Sequence, residues 1–283
     1  MYEEYTSPIP DIEAYAKRLG MEDRYDPTAE YPMGEPNKEL LDALVDAHQT
    51  HIPFDDLDSY DLKREVSLKV DDLFNKVVAS RRGGFCFELN GIFSLFLRDI
   101  GYKVYPVFAR TCYQHEDPWP ILHRGTVVDL GDESVYCDVG CGSPMACCSI
   151  PLVDGATVHS RGQVYSMQPL PQKPGWWRVN FHHDGSGPIE RTVEFLNCPV
   201  EWADMIALAR HCSTAPTSPF TFKRLCNLRV SDGYYALTDN ELTISHGGVK
   251  EVRELTSNEE IAQVLDEYFN IGTPELDEHF LGK

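Results

Sequence analysis

Apolar residues in the first third of the chain recur at intervals of three and four, the spacing that places them along one face of an α-helix. Asp11 and Asn37 precede two such stretches and are suitable N-caps, because their side chains can accept hydrogen bonds from the first backbone N–H groups. Ser67 precedes a third stretch with acidic residues near its start, where the helix dipole favours negative charge. The pattern therefore predicts helices over 11–19, 37–50 and 67–78.

Between about residues 102 and 198 the pattern changes to short runs of β-branched and aromatic residues separated by turn signals such as LGDES. These runs predict an antiparallel sheet or small barrel; they are KVYPVFARTCY, GTVVDL, SVYCDV, WWRVNFH and TVEFL. From about residue 201 onward, a helix, a strand pair turning at Asp232-Gly233 and a last helix over 258–269 predict an α/β unit.

The 283 residues carry 45 acidic and 25 basic side chains, which gives a formal net charge of −20. This charge argues against nucleic acid and anionic membrane surfaces as partners, since both repel an acidic protein. The sequence opens without a charged-then-apolar leader, and no apolar run approaches about 18 residues, so we expect a cytoplasmic protein that does not enter a membrane. In that compartment the nine cysteines are expected to be reduced thiols.

The segment RGGFCFELN, residues 82–90, places Cys86 after two glycines and before the apolar stretch GIFSLFL. Glycines allow a tight turn, and a helix N-terminus after that turn would favour the nucleophilic thiolate. Cys86 is therefore a candidate nucleophile, ionised near neutral pH; the alternative is a small buried core thiol. We interpret Arg82 as support for the turn, through a bidentate pair with Asp55 or Glu88.

Two later residues could complete a catalytic group with Cys86. His123 opens a strand-like run and Asp138 ends another, with a turn at Gly131-Asp132 between them. Antiparallel pairing of the two runs would bring His123 and Asp138 to neighbouring strand ends. A thiol nucleophile needs a base within hydrogen-bonding distance, and the base needs a third group that fixes its tautomer. The three residues fit these roles if folding brings them together.

Other groups of potential metal ligands have weaker patterns. Four cysteines lie close in the sequence: Cys137, Cys141, Cys147 and Cys148. They lack the paired C-x₂-C spacing of structural zinc sites, so packing thiols are favoured and no metal is expected. His48 and His51 lie three residues apart near a helix end without a third ligand nearby, which favours ordinary surface or packing roles.

RGGFCFELN is similar to the active-site segment of the arylamine N-acetyltransferases, whose pattern is RGG-x-C-F-E-x-N. DVGCG resembles the family's aspartate segment, DVGFG, and His123 lies where the family's catalytic histidine begins a strand. DALVDAHQTHIPFDDLD resembles the segment around IPFENLD, and VSLKVDDLFNKVVASRRGGF resembles the helix before the cysteine. STAPTSPFTFKRLCNLRVSDGYYAL and ELTSNEEIAQVLDEYFNI resemble the third domain, so the resemblance extends from about residue 12 to about residue 271.

The resemblance implies an α+β fold of three domains with a papain-like Cys-His-Asp site. The first is a helical bundle over 1–95 that carries Cys86. The second is an antiparallel β-barrel over 96–200 that carries His123 and Asp138, and the third is an α/β lid over 201–283.

The resemblance also implies an enzyme of xenobiotic metabolism, active as a monomer or homodimer. Such an enzyme transfers the acetyl group of acetyl-coenzyme A to the nitrogen of an arylamine or hydrazine, in two steps through an acetyl-cysteine. Acetyl-coenzyme A is then a co-substrate, and no cofactor is bound permanently. Two alternatives stay open: a related acyl-thioenzyme that uses another acyl-coenzyme A or acceptor, as an amide synthase or hydrolase, and a binding protein without turnover.

Expected ligand contacts follow from the same resemblance. The coenzyme contacts are Gly140, Gly142, Ser143, Thr217 and Ser218, and the acceptor contacts are Phe54, Cys141 and Met145. Three positions depart from the family. Cys141 replaces a phenylalanine that lines the acceptor pocket, Asp55 replaces a glutamate, and Leu122 replaces a threonine common in bacterial members. The change at Cys141 is expected to enlarge or reshape the acceptor pocket.

Overall fold

In the computed structural model, which describes residues 2–113, 119–182 and 189–272, the first hundred residues are mostly helical. The two predicted N-caps are present: the Asp11 side chain accepts a hydrogen bond from the Ala14 N–H, and Asn37 accepts one from the Leu40 N–H. The helices predicted over 11–19 and 37–50 are therefore confirmed.

The helix predicted over 67–78 begins at Val70 instead. The Ser67 hydroxyl donates to Asp72 Oδ2 at 2.6 Å, and Lys69 occupies the N-cap position. After its first five residues the helix widens into a π-turn over Asn75–Ala79. The α-helices are α1 (Ile12–Arg18), α2 (Lys38–His51), α3 (Leu57–Tyr60), α4 (Val70–Phe74), α5 (Cys86–Asp99), α6 (Trp202–Thr214), α7 (Pro219–Phe222) and α8 (Asn258–Phe269).

The strands form two antiparallel sheets. They are β1 (Phe54–Asp55), β2 (Lys103–Thr111), β3 (His123–Asp129), β4 (Ser134–Cys137), β5 (Ile150–Pro151), β6 (Thr157–Ser160), β7 (Gln163–Pro169), β8 (Trp176–His182), β9 (Ile189–Leu196), β10 (Leu225–Val230), β11 (Gly233–Thr238), β12 (Glu241–His246) and β13 (Val249–Glu254).

The larger sheet has the order β5-β4-β3-β2-β9-β8-β7-β6. Its first strand, β5, lies beside β6 and β7, so the sheet curls into a nearly closed barrel. Inward-facing residues alternate along the strands and fill the barrel with a buried core, which includes Val107, Val127, Tyr136, Val179 and Phe195. The antiparallel barrel predicted from the sequence is confirmed.

The smaller sheet has the order β1-β10-β11-β12-β13. The strand pair predicted at Asp232-Gly233 is the β10–β11 hairpin, and α8 buries Leu265 and Phe269 in the core next to this sheet. Strand β1 is only two residues long, yet it pairs Phe54 with Asn227 of β10. The segment between α2 and α3 is thereby tied to the C-terminal part of the chain.

Helix α5 lies in the middle of the molecule, in contact with α4 on one side and with β2 and β3 on the other. Its residues from Cys86 to Leu97 are all buried, which is why its sequence is apolar almost all round. The start of α5 therefore meets the end of the barrel that carries the beginning of β3. Within the described residues, no helix combines the length and the apolar content needed to cross a bilayer.

Candidate active site

Cys86 is the first residue of α5, and only 2% of its surface is exposed. The glycine pair before it is required by close contact, since neither Gly83 nor Gly84 has a positive φ. A Cβ on Gly83 would lie 2.0 Å from the Pro53 carbonyl oxygen, and a Cβ on Gly84 would lie 2.8 Å from Glu88 Oε2. The glycines thus let the chain pass close beside the segment at Pro53 and set the position of Cys86.

Buried ion pairs hold this turn in place. Asp55 accepts a hydrogen bond from the Gly83 N–H at 2.9 Å, and its other oxygen lies 3.4 Å from Arg82 Nη2. The same nitrogen lies 3.2 Å from Asp58 Oδ1. Burial raises the pKa of Asp58, but Lys76 and Arg82 outweigh it and lower that pKa to about 2. Arg82 therefore contacts Asp55 as predicted, but through one nitrogen and one oxygen rather than as a bidentate pair, and Asp55 also binds the turn through the Gly83 N–H.

Glu88, the other predicted partner of Arg82, pairs with Lys76 instead. Glu88 Oε1 lies 2.7 Å from Lys76 Nζ, and Glu88 Oε2 accepts a hydrogen bond from the Phe85 N–H at 3.1 Å. The second contact caps the start of α5, because it satisfies an N–H group that has no partner within the helix. Burial raises the pKa of Glu88 to about 7, although Lys76 opposes the shift.

His123 and Asp138 meet through the β3–β4 hairpin. His123 is the first residue of β3, and Asp138 directly follows β4, whose last residue Cys137 pairs with Thr126. Gly131 adopts a φ of +98° in the connecting turn. The two strand ends lie side by side as predicted, and His123 Nε2 is 2.6 Å from Asp138 Oδ2.

Asp138 is held by four hydrogen-bond donors. Besides His123, the Tyr136 hydroxyl donates to Oδ2 at 2.9 Å, while Asn90 Nδ2 and the Gly140 N–H donate to Oδ1 at 2.8 and 3.1 Å. Burial raises the pKa of Asp138, but these partners, His123 foremost, lower it below its ordinary value. The group is therefore an ionised carboxylate that fixes one ring nitrogen of the histidine.

The other ring nitrogen of His123, Nδ1, is not used by Asp138, and Cys86 and His123 lie in the wall of the same cavity. The Cys86 thiol also lies 3.8 Å from the Leu122 carbonyl oxygen. Burial lowers the pKa of His123, but the negative charges of Asp138 and the Cys86 thiolate outweigh burial and raise that pKa to about 10. The imidazole is thus a strong base, because its cation lies between two anionic partners.

The ionisation of Cys86 differs from the prediction of a thiolate near neutral pH. Burial raises the pKa of the Cys86 thiol, and His123 offsets only part of that increase. The prediction counted the imidazolium and the helix N-terminus but not the loss of hydration at a site that is almost fully enclosed. Each group shifts the pKa of the other, so the thiol and the imidazole titrate as a coupled pair.

Two cavities of about 370 Å³ each adjoin the catalytic group. The first, the thiol cavity, is lined by Cys86, His123, Leu122, Cys212 and Phe220, among others. The second, the sheet cavity, lies towards β10 and β11. The two cavities share wall residues: Phe54, Tyr113, Gly142, Ser143, Leu225 and Asn227.

Of the five residues predicted to bind the coenzyme, four line the thiol cavity and one does not. Gly140, Gly142, Ser143 and Ser218 line the thiol cavity. The hydroxyl of Ser218 donates to the Cys212 carbonyl oxygen at 2.6 Å, which fixes the chain before α7. Thr217 is exposed and does not line either cavity.

The three residues predicted to contact the acceptor differ in which of the two cavities they line. Phe54 lines both cavities, whereas Cys141 lines the sheet cavity alone. Met145 lines neither; its side chain is buried in the barrel core, and only its carbonyl oxygen reaches the sheet cavity region, 3.4 Å from Arg229 Nη2. Met145 lies in a segment without regular secondary structure, and its side chain packs in the barrel core rather than in the wall of either cavity.

Several residues of the site had escaped the sequence analysis. Asn90 lies four positions after Cys86, a spacing that places both on one helix face, and Tyr136 lies two positions before Asp138, on the same side of the strand. Both spacings can be read directly from the sequence. Cys212 and Phe220 come from the distant α6–α7 region, and only the tertiary structure brings them to the thiol cavity.

His123, Asp138 and Cys141 place potential metal-ligand atoms within 4.8 Å of one another. His123 and Asp138, however, bind each other directly, and Cys141 Sγ lies 2.9 Å from Ser143 Oγ. Burial raises the pKa of Cys141 to about 12, helped by Asp138, so this sulfur stays protonated and is a weak ligand. The arrangement suits proton transfer to and from a thiol.

The comparisons with known proteins agree with this geometry. The sequence profile described as N-acetyltransferase matches residues 38–277. An arylamine N-acetyltransferase / N-hydroxyarylamine O-acetyltransferase of Salmonella typhimurium is 36% identical over 153 residues, which are 54% of this chain and 53% of that protein. The arylamine N-acetyltransferase of Escherichia coli is 29% identical over 247 residues, 86% of each chain.

The fold is similar to that of a solved relative along almost its whole length. The structure of the arylamine N-acetyltransferase from Mycobacterium abscessus superposes with a TM-score of 0.86 at 26% identity, covering 99% of this chain and 97% of that one. The α+β architecture of helices, curled barrel and C-terminal sheet is thus the one that this family shares. With a profile match over most of its length, the chain belongs to the arylamine N-acetyltransferase family.

Proposed function

We propose that the protein transfers an acetyl group from acetyl-coenzyme A to the nitrogen of an arylamine or hydrazine, through an acetyl-Cys86 intermediate. The observation that carries this proposal is a buried thiol and a histidine in the wall of one cavity, with Nε2 of the histidine fixed by Asp138. Acetyl-coenzyme A acts as a co-substrate that leaves after the first step.

In the first step Cys86 attacks the thioester carbonyl while His123 takes up the thiol proton. A carbon–sulfur bond to Cys86 forms, and the bond to the coenzyme sulfur breaks. The His123 imidazolium then gives its proton to the departing coenzyme thiolate. Asp138 keeps Nε2 protonated, so Nδ1 is the nitrogen that exchanges protons with the reacting sulfur atoms.

In the second step the amine nitrogen attacks the acetyl carbon, and His123 accepts the proton that the nitrogen loses. The bond from Cys86 to the acetyl carbon breaks and regenerates the starting pair. Two transfers to and from one nucleophile replace a single difficult encounter between amine and thioester. Gly140, Gly142, Ser143 and Ser218 are the proposed coenzyme contacts, since they line the cavity beside Cys86.

Brief exposure to acetyl-coenzyme A, followed by acid quench and peptide mass spectrometry, tests the intermediate. One acetyl group is expected on Cys86, and the Cys86→Ala variant should carry none. Cys212→Ala is the matched control, because Cys212 is a buried thiol in the wall of the same cavity. An acetyl group found on Cys212 or Cys141 in the wild type would contradict the proposal.

A further inference from the structure

A series of charged side chains with alternating sign links β1 to the start of α5. In order of contact the series is Asp55, Arg82, Asp58, Lys76 and Glu88, with a nitrogen and an oxygen of successive members at most 3.4 Å apart. Glu88 ends the series, and its Oε2 accepts a hydrogen bond from the Phe85 N–H. Because Cys86 follows Phe85 directly, the series reaches the backbone that carries the nucleophile.

Lys76 connects the two halves of this series. Its Nζ lies 2.7 Å from Asp58 Oδ2 and 2.7 Å from Glu88 Oε1. Its carbonyl oxygen accepts a hydrogen bond from the Arg82 N–H at 3.0 Å. The residue belongs to the π-turn over Asn75–Ala79, and such turns are frequent at functional sites. Lys76 therefore contacts both the turn that leads to the nucleophile and the carboxylate that caps its helix.

Glu88 is the group in this series whose charge responds to pH near neutrality. Its side chain is 1% exposed. Burial raises the pKa of Glu88, Lys76 lowers it, and Asp58 and Asp55 raise it again, with the result at about 7. Burial lowers the pKa of Lys76, but Glu88 and Asp58 outweigh burial and raise it above its ordinary value. Lys76 thus stays cationic and favours the ionised form of Glu88.

The ionised form of Glu88 is the stronger cap. A carboxylate accepts a charge-assisted hydrogen bond from the Phe85 N–H, and such bonds are about twice as strong as neutral ones. The carboxyl group also packs against the turn, since a Cβ on Gly84 would lie 2.8 Å from Glu88 Oε2 and 3.0 Å from Glu88 Cβ. A change in the position of this side chain therefore moves the backbone directly before Cys86.

We propose that Lys76 is a positioning residue for the nucleophile. It keeps the Glu88 carboxylate ionised and bound to the Phe85 N–H, and thereby holds Cys86 in the geometry that acylation requires. The inference rests on the proposed function, because acylation of Cys86 is the step that it affects. Without the lysine, Glu88 would be buried beside Asp58 with its cation removed, and it would take up a proton at neutral pH.

The test measures the rate of Cys86 acylation by 4-nitrophenyl acetate across neutral pH in the wild type, Lys76→Met, Glu88→Gln and the double variant. At each pH the rate of each protein is divided by that of Glu88→Gln, so the titration of the Cys86–His123 pair cancels. The wild-type ratio should rise with pH, with a midpoint of about 7. In Lys76→Met the midpoint should rise by about 1–3 units, the usual effect of an opposite charge in contact with a carboxyl group.

Glu88→Gln should suppress the effect of Lys76→Met, because glutamine keeps an oxygen for the Phe85 N–H and needs no cation. The ratio of the double variant is therefore expected to be independent of pH. Lys173→Met is the matched control, since Lys173 Nζ lies 3.2 Å from Glu194 Oε2, a buried carboxylate of the barrel. Its ratio should follow that of the wild type even if its thermal midpoint falls.

A wild-type midpoint in Lys76→Met, together with a lowered thermal midpoint, would overturn the proposal, because Lys76 would then serve stability alone. Equal slowing by Lys76→Met with and without Glu88→Gln would also overturn it, since the effect would then pass through Asp58. If Lys76→Met does not fold, the wild-type ratio decides, and a ratio that does not rise with pH rejects the proposal. Failure of the wild type to be acylated at any pH would instead refute the proposed function.

Discussion

Gly140 is the position where a single methyl group should disturb the catalytic geometry most directly. A Cβ at this residue would lie 2.8 Å from Cys86 Cα, 3.2 Å from the Cys86 carbonyl oxygen and 3.0 Å from Asn90 Nδ2. Two of these atoms belong to the backbone of α5, so no side-chain rotation can relieve the contact. Gly140 does not have a positive φ, and alanine can adopt its backbone conformation. The whole effect of Gly140→Ala therefore comes from contact with Cys86 and Asn90.

The size of the effect follows from these distances. Ordinary contact begins near 3.4 Å, so Cys86 Cα and residue 140 must separate by about 0.6 Å. Misplacement of a reacting group by 1 Å can cost about 100-fold in rate, and we therefore expect acylation of Cys86 to slow by about tenfold. Overpacking of a buried contact also costs about 1–3 kcal/mol of unfolding free energy.

The assay is the burst of 4-nitrophenolate when the enzyme is mixed with 4-nitrophenyl acetate, because this ester acylates Cys86 without any coenzyme. Gly162→Ala serves as the control for stability. Gly162 has a φ of +75° and nothing within 4 Å of a built Cβ, so alanine there strains the turn between β6 and β7 without touching the site. The burst rate of Gly162→Ala should equal that of the wild type even though its thermal midpoint falls.

A wild-type burst rate in Gly140→Ala, together with a raised KM for acetyl-coenzyme A, would refute this reasoning. That result would mean that Gly140 acts through its contact with the coenzyme and that α5 can shift without loss. Equal slowing in Gly140→Ala and Gly162→Ala would refute it as well, since the loss would then follow stability alone.

Three other predictions follow from the same site. In His123→Gln, the pH midpoint of Cys86 alkylation by iodoacetamide should move upward from that of the wild type, because the cation that lowers the thiol pKa is gone. An unchanged midpoint would show that His123 does not influence the ionisation of Cys86. Tyr136→Phe should lower the unfolding free energy by about 1.5–3 kcal/mol in urea titrations, and Tyr165→Phe by about 0.5–1.5 kcal/mol, since the first hydroxyl binds a carboxylate and the second an amide oxygen. Equal losses would contradict that assignment. Cys141→Phe should improve kcat/KM for a small arylamine and reduce it for a bulky one, because the ring fills part of the sheet cavity; parallel changes for both amines would show that Cys141 does not face the acceptor.

The features that the sequence predicted well depend on residues close together along the chain. The caps at Asp11 and Asn37 act on N–H groups three residues away, and the β3–β4 hairpin depends on one turn around Gly131. Such contacts form in nearly any tertiary setting, so the pattern of residues is enough to predict them. The same holds for Cys86 at a helix start, which its glycine pair and the apolar run after it already indicated.

The start of the third helix shows where local signals compete. Ser67 is a good capping residue by type, but Asp72 lies within reach of its hydroxyl, and the helix begins at Val70. Both outcomes are consistent with the sequence, and the packing of Val70 in the core favours the observed one. The choice between Asp55 and Glu88 as the partner of Arg82 was open for the same reason, because either carboxylate is chemically suitable.

Properties that depend on burial and on distant segments required the tertiary structure. The loss of hydration at Cys86 comes from α6, α7 and the barrel closing over the start of α5, and it reverses the expected direction of the thiol pKa. Met145, which was expected to contact the acceptor, has its side chain in the barrel core instead of in a cavity wall. A side chain's surroundings are set by contacts between residues far apart in the chain, and these contacts exist only once the helices and the two sheets have packed together.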